Sequence, residues 1–219
     1  IMAAKKAPPG PEPTLVLLMR HGQTPTTGTT LPGRARGLHL AEKGHEQAEA
    51  AAERIRPLAD KVKAVYASPL ERTQETAAPV AKAVKKRVRT DAGLIECDFG
   101  SWTGANLKDL AKLPEWKTVQ RYPSGFRFPK GESFAQMQAR ITGAIDRLVA
   151  RHPGGTVVAV SHADPIKAAV AQALGTHLDL FQRIVISPCS ITAILFTTTG
   201  PVVLSVNSTG GDLAALAPS

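Results

Sequence analysis

Leu15-Val16-Leu17-Leu18-Met19 is an unbroken apolar run closed by Arg20-His21-Gly22. The run is far shorter than the roughly 20 apolar residues that cross a bilayer, and its branched residues suit a buried strand over 14–20. Such a strand carries a guanidinium and an imidazole to its carboxyl end. In open α/β sheets that is the edge where ligands bind.

Downstream, a Gly/Thr/Pro-rich loop spans Gly22 to Gly37, and small and apolar residues (Ala48, Ala51, Ala52, Ile55) then recur at helical spacing until Pro57. Val62–Ala67 reads as a second strand. Ser68-Pro69-Leu70-Glu71 follows it as a helix start, with Ser68 at the N-cap, Pro69 at N1 and Glu71 at N3. Arg72 then falls in a first helical turn just beyond a strand end, and the helix is expected to run to Lys86. Arg87–Thr90 reads as an edge strand. Gly93 to Gly104, with Glu96 and Asp98, is an acidic, glycine-bracketed loop, and either carboxylate can face a site below it. Short helices with Pro and Gly breaks from Asn106 to Lys130 form a lid. Ser133 and Gln136 make a capping box for a long helix reaching His152. A third strand, Thr156–Ser161, runs into His162-Ala163-Asp164-Pro165, where Asp164 is expected to cap a helix ending at Gly175. Ile191–Thr197 and Val202–Val206 read as a closing hairpin.

Strands alternating with helices imply a doubly wound α/β sandwich. Among 219 residues, 43% are hydrophobic and 21% charged, enough for a substantial core. The domain is expected over 14–207, after a disordered leader over 1–13 and before a loose tail over 208–219. The net charge of +9 favours anionic partners. No RNA-binding or helix-turn-helix signature accompanies it, so no nucleic-acid partner is expected. Cys97 and Cys189 lack the spacing of a disulfide framework or zinc site. His162 and Asp164 lack further ligands at matching spacing, so no metal and no cofactor are expected. With no hydrophobic segment of membrane-spanning length, the chain is expected to be cytoplasmic.

Three strand ends therefore deliver Arg20 with His21, the Ser68 turn with Arg72, and His162. Arginine forks suit phosphoryl oxygens, and helix starts after strand ends add amides and a favourable dipole. Two imidazoles beside two guanidiniums, without a metal-ligand cluster, point to phosphoryl transfer through an imidazole nucleophile.

Four motifs in this order resemble those of the histidine phosphatase superfamily, the phosphoglycerate-mutase-like enzymes. Arg20-His21-Gly22-Gln23-Thr24 is similar to its signature, and Ser68-Pro69-Leu70-Glu71-Arg72-Thr73-Gln74-Glu75-Thr76 to the segment with its second phosphate-binding arginine. Leu94-Ile95-Glu96-Cys97-Asp98-Phe99-Gly100 resembles the segment with its acid/base glutamate, and Val160-Ser161-His162-Ala163-Asp164 that with its second histidine. Phe128-Pro129-Lys130-Gly131-Glu132-Ser133 resembles the family's Pro-x-Gly-Glu-Ser element.

The resemblance implies a three-layer α/β/α sandwich with a mostly parallel central sheet, and a set of roles. His21 attacks phosphorus; Arg20, Arg72 and His162 hold the equatorial oxygens; Glu96 gives a proton to the leaving oxygen and takes one from water. Thr24 and the Ala163 amide are expected as minor phosphate contacts, and Asp164 as a helix cap. The substrate is expected to be a small phosphorylated metabolite, with the basic or polar lid residues Lys108, Arg121, Tyr122, Arg127 and Lys130 as candidates to meet its leaving group. Homodimers are common among relatives. Thr27 stands where the mutase branch has asparagine, and the lid is short for a cap that retains a bisphosphate intermediate. The first bears on the substrate-side contacts of that loop; the second, a site that does not exclude water, favours hydrolysis over a phosphoglycerate-mutase-type transfer. A non-catalytic binding module is the remaining alternative.

Overall fold

The computed structural model describes residues 12–211 and 213. The leader expected over 1–13 lies outside them except for Glu12 and Pro13. Among the described residues, six strands form one sheet, β1 (Thr14–Arg20), β2 (Val62–Ala67), β3 (Val88–Thr90), β4 (Thr156–Ser161), β5 (Ile191–Thr197) and β6 (Gly200–Ser208), in the order β3-β2-β4-β1-β5-β6. Strands β3, β2, β4 and β1 are parallel, while β5 and β6 are antiparallel additions at the β1 side. The predicted mostly parallel sheet is thus present. In register, Arg20 lies beside Ser161 and Ala67 beside Val160, so three carboxyl ends meet at one edge.

Leu15 to Met19 are all 0% exposed, which explains why the run has no polar alternation: both faces of β1 are covered. On one face Leu15, Leu17 and Met19 pack with Ala48, Ala51 and Ile55 of α1 (Glu42–Ile55) and with Ala77 and Val80 of α2 (Glu71–Ala83). Val16 and Leu18 face the other side. Two short lid helices, α3 (Leu107–Leu110) and α4 (Pro114–Arg121), precede α5 (Phe134–Arg151) and α6 (Ala163–Ala173) on that side. There Met137, Ile141 and Ile145 of α5 and Ile166 and Val170 of α6 join the same cluster. These are the three layers expected of the sandwich.

Local chemistry sets the helix ends. Ser133 caps α5 as predicted: its hydroxyl accepts from the Gln136 amide and its own amide donates to Gln136 Oε1, both at 3.1 Å. Ser68 does not cap α2. The helix begins at Glu71 behind Leu70, with no side-chain cap; Ser68 stands two positions before that N-cap, its hydroxyl on the Leu70 amide and on His162. The helix also stops three residues before Lys86. Lys85 takes a φ of 54°, and the Lys86 amide closes back on Ala81 O at 2.9 Å, a left-handed ending in which lysine stands where glycine is usual. Asp164 likewise is not a cap; His162 occupies the N-cap of α6, and Asp164 Oδ1 accepts from Lys167 Nζ at 3.1 Å. In the segment expected as a loose tail, Arg54 donates to Ser208 O and Gly210 O, and Leu213 is buried.

Candidate active site

The loop after β1 is held on both sides. The His21 amide donates to Ser161 O (3.0 Å), joining β1 to β4 past the last strand residue, and the Gly22 amide donates to Thr76 Oγ1 of α2 (3.0 Å). Gly22 is required by close approach, since a Cβ there would lie 2.5 Å from Gly44 O at the start of α1. His21 is therefore pinned by backbone contacts to three elements before its side chain makes any.

His21 is 5% exposed, and its Nδ1 lies 2.7 Å from Gly22 O. A carbonyl only accepts, so Nδ1 carries the hydrogen. Burial, then the Arg72 and Arg20 charges, lower its pKa to about 3. The ring is neutral at physiological pH, leaving the Nε2 lone pair free. The second imidazole, His162, lies with its ring centre 5.2 Å from that of His21 and is 0% exposed. Its Nε2 is 2.8 Å from Ser68 Oγ, which already accepts from the Leu70 amide at 3.3 Å. With the Ser68 hydroxyl donating to Nε2, the His162 proton is assigned to Nδ1. That atom is buried without a hydrogen-bond partner among the described residues, 3.9 Å from Glu96 Oε2. Burial and the neighbouring Arg72 charge hold the His162 pKa well below its ordinary range.

Arg72, from the first turn of α2, is 0% exposed. One nitrogen, Nη2, donates to Gly33 O at 2.7 Å; Nε and Nη1 are buried and unpartnered. It pairs with neither Glu71 nor Glu75: Glu75 instead accepts from the Leu40 amide and from His39. Arg20 follows the same pattern, with Nη1 on Ile186 O at 2.7 Å and Nε unpartnered. Unmatched buried donors are costly, each on the order of 1–3 kcal/mol. Their concentration here, two guanidiniums and one imidazole N–H with no carboxylate ion-paired to either arginine among the described residues, makes a cradle for a multiply charged anion.

Glu96, not Asp98, turns inward. It is 7% exposed, and its pKa is pushed up to about 7, first by burial and then by the Asp164 charge. Asp98 is instead half-buried, turned toward Arg34, and accepts from the Gly100 amide at 3.0 Å. Sequence reasoning missed how Glu96 is held. Arg140 of α5 donates to Gly93 O, Ile95 O and Glu96 O, and grips Glu132 with two nitrogens at 2.9 Å. Arg34 bonds Glu96 O and Glu132 as well. The available signal was Glu132 in the Pro-Lys-Gly-Glu-Ser element, to which no role was attached.

A cavity of about 250 Å³ is lined by Arg20, His21, Thr24, Glu96, Ala163 and Lys167, among others. Thr24 is buried; its amide donates to Thr27 Oγ1 at 2.8 Å, and its hydroxyl, 3.0 Å from Thr27 Oγ1 and 3.4 Å from Thr26 Oγ1, lies in the same threonine cluster at the cavity wall. Ala163 opens α6, where first-turn amides have no intrahelical acceptor. Lys108, Arg121, Tyr122, Arg127 and Lys130, expected to meet the leaving group, are all exposed, and none lines this cavity. Among the described residues no helix is long and apolar enough to cross a membrane, and no three His, Cys, Asp or Glu side chains converge as metal ligands do.

A bifunctional protein of Mycobacterium tuberculosis is 33% identical over 200 residues, covering 90% of this chain and 55% of that protein. The chain thus spans about half the length of that relative. Phosphoserine phosphatase 1 of Hydrogenobacter thermophilus is 31% identical over 199 residues, covering 89% of this chain and 92% of that enzyme. Among solved structures, a mutant phosphoserine phosphatase of Entamoeba histolytica in complex with phosphoserine superposes with a TM-score of 0.80, 27% identity, and coverage of 90% and 98%. The family model of the histidine phosphatase superfamily (branch 1) matches residues 16–209. With that match running from β1, which leads into Arg20 and His21, past the helix behind His162 to the end of β6, the chain belongs to the histidine phosphatase superfamily.

Proposed function

We propose that this protein is a phosphomonoester hydrolase that works through a phosphohistidine at His21. The observation that carries the reading is a neutral, backbone-anchored imidazole facing a cavity shared with Arg20 and a protonatable Glu96. In the first step His21 Nε2 forms the N–P bond as the P–O bond to the alcohol breaks. Arg20, Arg72 and the His162 Nδ1–H donate to the equatorial oxygens, where charge develops, with the Ala163 amide and Thr24 hydroxyl as minor donors. Glu96, protonated up to about pH 7, gives its proton to the departing oxygen. In the second step a water attacks phosphorus, Glu96 takes its proton, and the N–P bond breaks to release phosphate and neutral His21.

The lid supports hydrolysis over transfer. Its helices are four and eight residues long, too little to seal a released phosphoacid beside His21. The expected substrate is a small phosphorylated metabolite, and the fold is proposed to act as one domain over 14–207.

The test is intact-protein mass spectrometry after a rapid acid-free quench with phosphomonoesters, run beside continuous phosphate release. A phosphate-sized, acid-labile adduct in wild type that is absent in His21→Ala, with phosphate released, is the expected result. Unchanged turnover in His21→Ala would refute it, and an adduct that persists until a second phosphoacid is added would favour transfer.

A further inference from the structure

Beside the phosphate cavity lies a second one of about 220 Å³, and the two share Leu31, Phe99, Leu107, Asp164 and Lys167 as walls. Its other lining includes Trp116, Val119 and Phe128 from the lid and the segment after it. These side chains belong to the aromatic cluster under the lid: Trp116 stacks on Trp102 at 6.3 Å between ring centres, and Phe128 meets Phe99 edge-on at 4.9 Å. The lid therefore turns an apolar face toward the reacting phosphorus and sends its basic residues to solvent.

Among the described residues, the one cation on the walls of this second cavity is already matched. Lys167 Nζ donates to Asp164 Oδ1 and to Gln182 Oε1, both at 3.1 Å, and sits over the Phe181 ring. A leaving group entering this cavity meets a neutralised lysine and two glutamines rather than the unpaired cations that a small carboxylic acid would require. It meets enough apolar surface for a ring, since about 150 Å³ of apolar cavity accommodates benzene.

We infer that the cavity of Leu107, Trp116, Val119 and Phe128 is the leaving-group subsite, and that the preferred substrates are phosphomonoesters of alcohols with an apolar or aromatic body. This rests on the phosphatase reading above. Lys167, with Asp164 and Gln182, provides a polar post at the junction of the cavities, suited to a single hydroxyl or carbonyl on the alcohol.

The experiment compares kcat/KM for 3-phenylpropyl phosphate, propyl phosphate and O-phosphoserine, read by phosphate release. The first two leave as similar primary alkoxides, so their ratio reports the ring alone. Burying an aromatic ring predicts a preference of about tenfold or more over propyl phosphate, and a similar preference over phosphoserine. Trp116→Ala should bring the ring preference below about threefold, while Trp116→Phe, which keeps an aromatic face, should retain it. Should Trp116→Ala fail to fold by circular dichroism, Leu107→Gln, at a half-buried wall of the same cavity, serves with the same expectation. Release from all three esters with no ring preference, or with phosphoserine favoured, overturns the subsite and leaves the phosphatase reading standing. No release from any ester overturns both.

Discussion

Glu96→Gln removes a charge at nearly constant shape, and the structure predicts that it stabilises the fold at alkaline pH while disabling the site. Burial, reinforced by Asp164, raises the Glu96 pKa from 4.5 to about 7. The folded state thus favours the neutral carboxyl: its contribution is fully present below pH 4.5 and is lost as pH rises through about 7. At roughly 1.4 kcal/mol per pH unit, the ionised carboxylate costs about 3 kcal/mol at high pH, and about 2 to 3 kcal/mol of that develops between pH 5 and pH 8. Glutamine does not titrate. Urea denaturation of both proteins at the two pH values should therefore show the variant gaining about 2 to 3 kcal/mol on wild type as pH rises, or roughly 5–10 °C in Tm. Taking the change between two pH values cancels any packing difference of the amide. The same substitution should lower turnover of alkyl phosphates by about 10²–10⁴, and less for an aryl ester whose leaving oxygen needs no proton. A stability difference independent of pH would refute the reasoning, because Glu96 would then titrate alike in both states.

Three further outcomes are expected. His21 has the opposite sign: burial lowers its pKa from 6.5 to about 3, so stability is present above pH 6.5 and falls as the solution is acidified toward pH 3. In His21→Asn that acid limb, followed by thermal melts across the same range, should flatten. Arg72→Lys replaces a fixed fork by a point charge; kcat/KM should fall by about 10²–10³ with little loss of secondary structure, and inhibition by inorganic phosphate should weaken in parallel. Arg140→Met strips Gly93 O and Ile95 O of their donor and leaves Arg34 alone on Glu96 O and Glu132 among the cations of the described residues. We expect it to cost about 3 kcal/mol in denaturant midpoint analysis and to lower kcat more than it raises KM, since it loosens Glu96 rather than the phosphate donors.

The strands were legible because their signals are local. Thr14–Arg20, Val62–Ala67 and Thr156–Ser161 are each apolar runs bounded by breakers, and each matches its predicted bounds. The residues at their ends were legible for the same reason, since a strand end fixes position in space once the sheet is parallel. Ser68 was misread because the helix starts two residues later than the Ser-Pro-Leu-Glu pattern suggests, and its hydroxyl also bonds His162, ninety-four positions away. Asp164 was misread because Lys167, one turn on, offers its carboxylate a cation. The clamp of Arg34, Glu132 and Arg140 on the Glu96 loop was missed because only Glu132 lies in a recognisable element, and nothing in the neighbourhoods of Arg34 and Arg140 ties them to it. The choice of Glu96 over Asp98 also needed the structure, since which of two nearby carboxylates points inward depends on the turn at Gly100.

The strand order carries a consequence for biosynthesis. β1 lies between β4 and β5, so Leu15 pairs with Thr156 on one side and Leu195 on the other. A ribosome adding roughly 5–20 residues per second leaves this five-residue greasy run without either neighbour for many seconds. Contacts so distant along the chain also slow spontaneous refolding, because the intervening loop must close before pairing repays it. During that interval the exposed run is a natural client for chaperones. A chain halted before Ile191 leaves β1 an open edge, with its backbone amides free to recruit another copy.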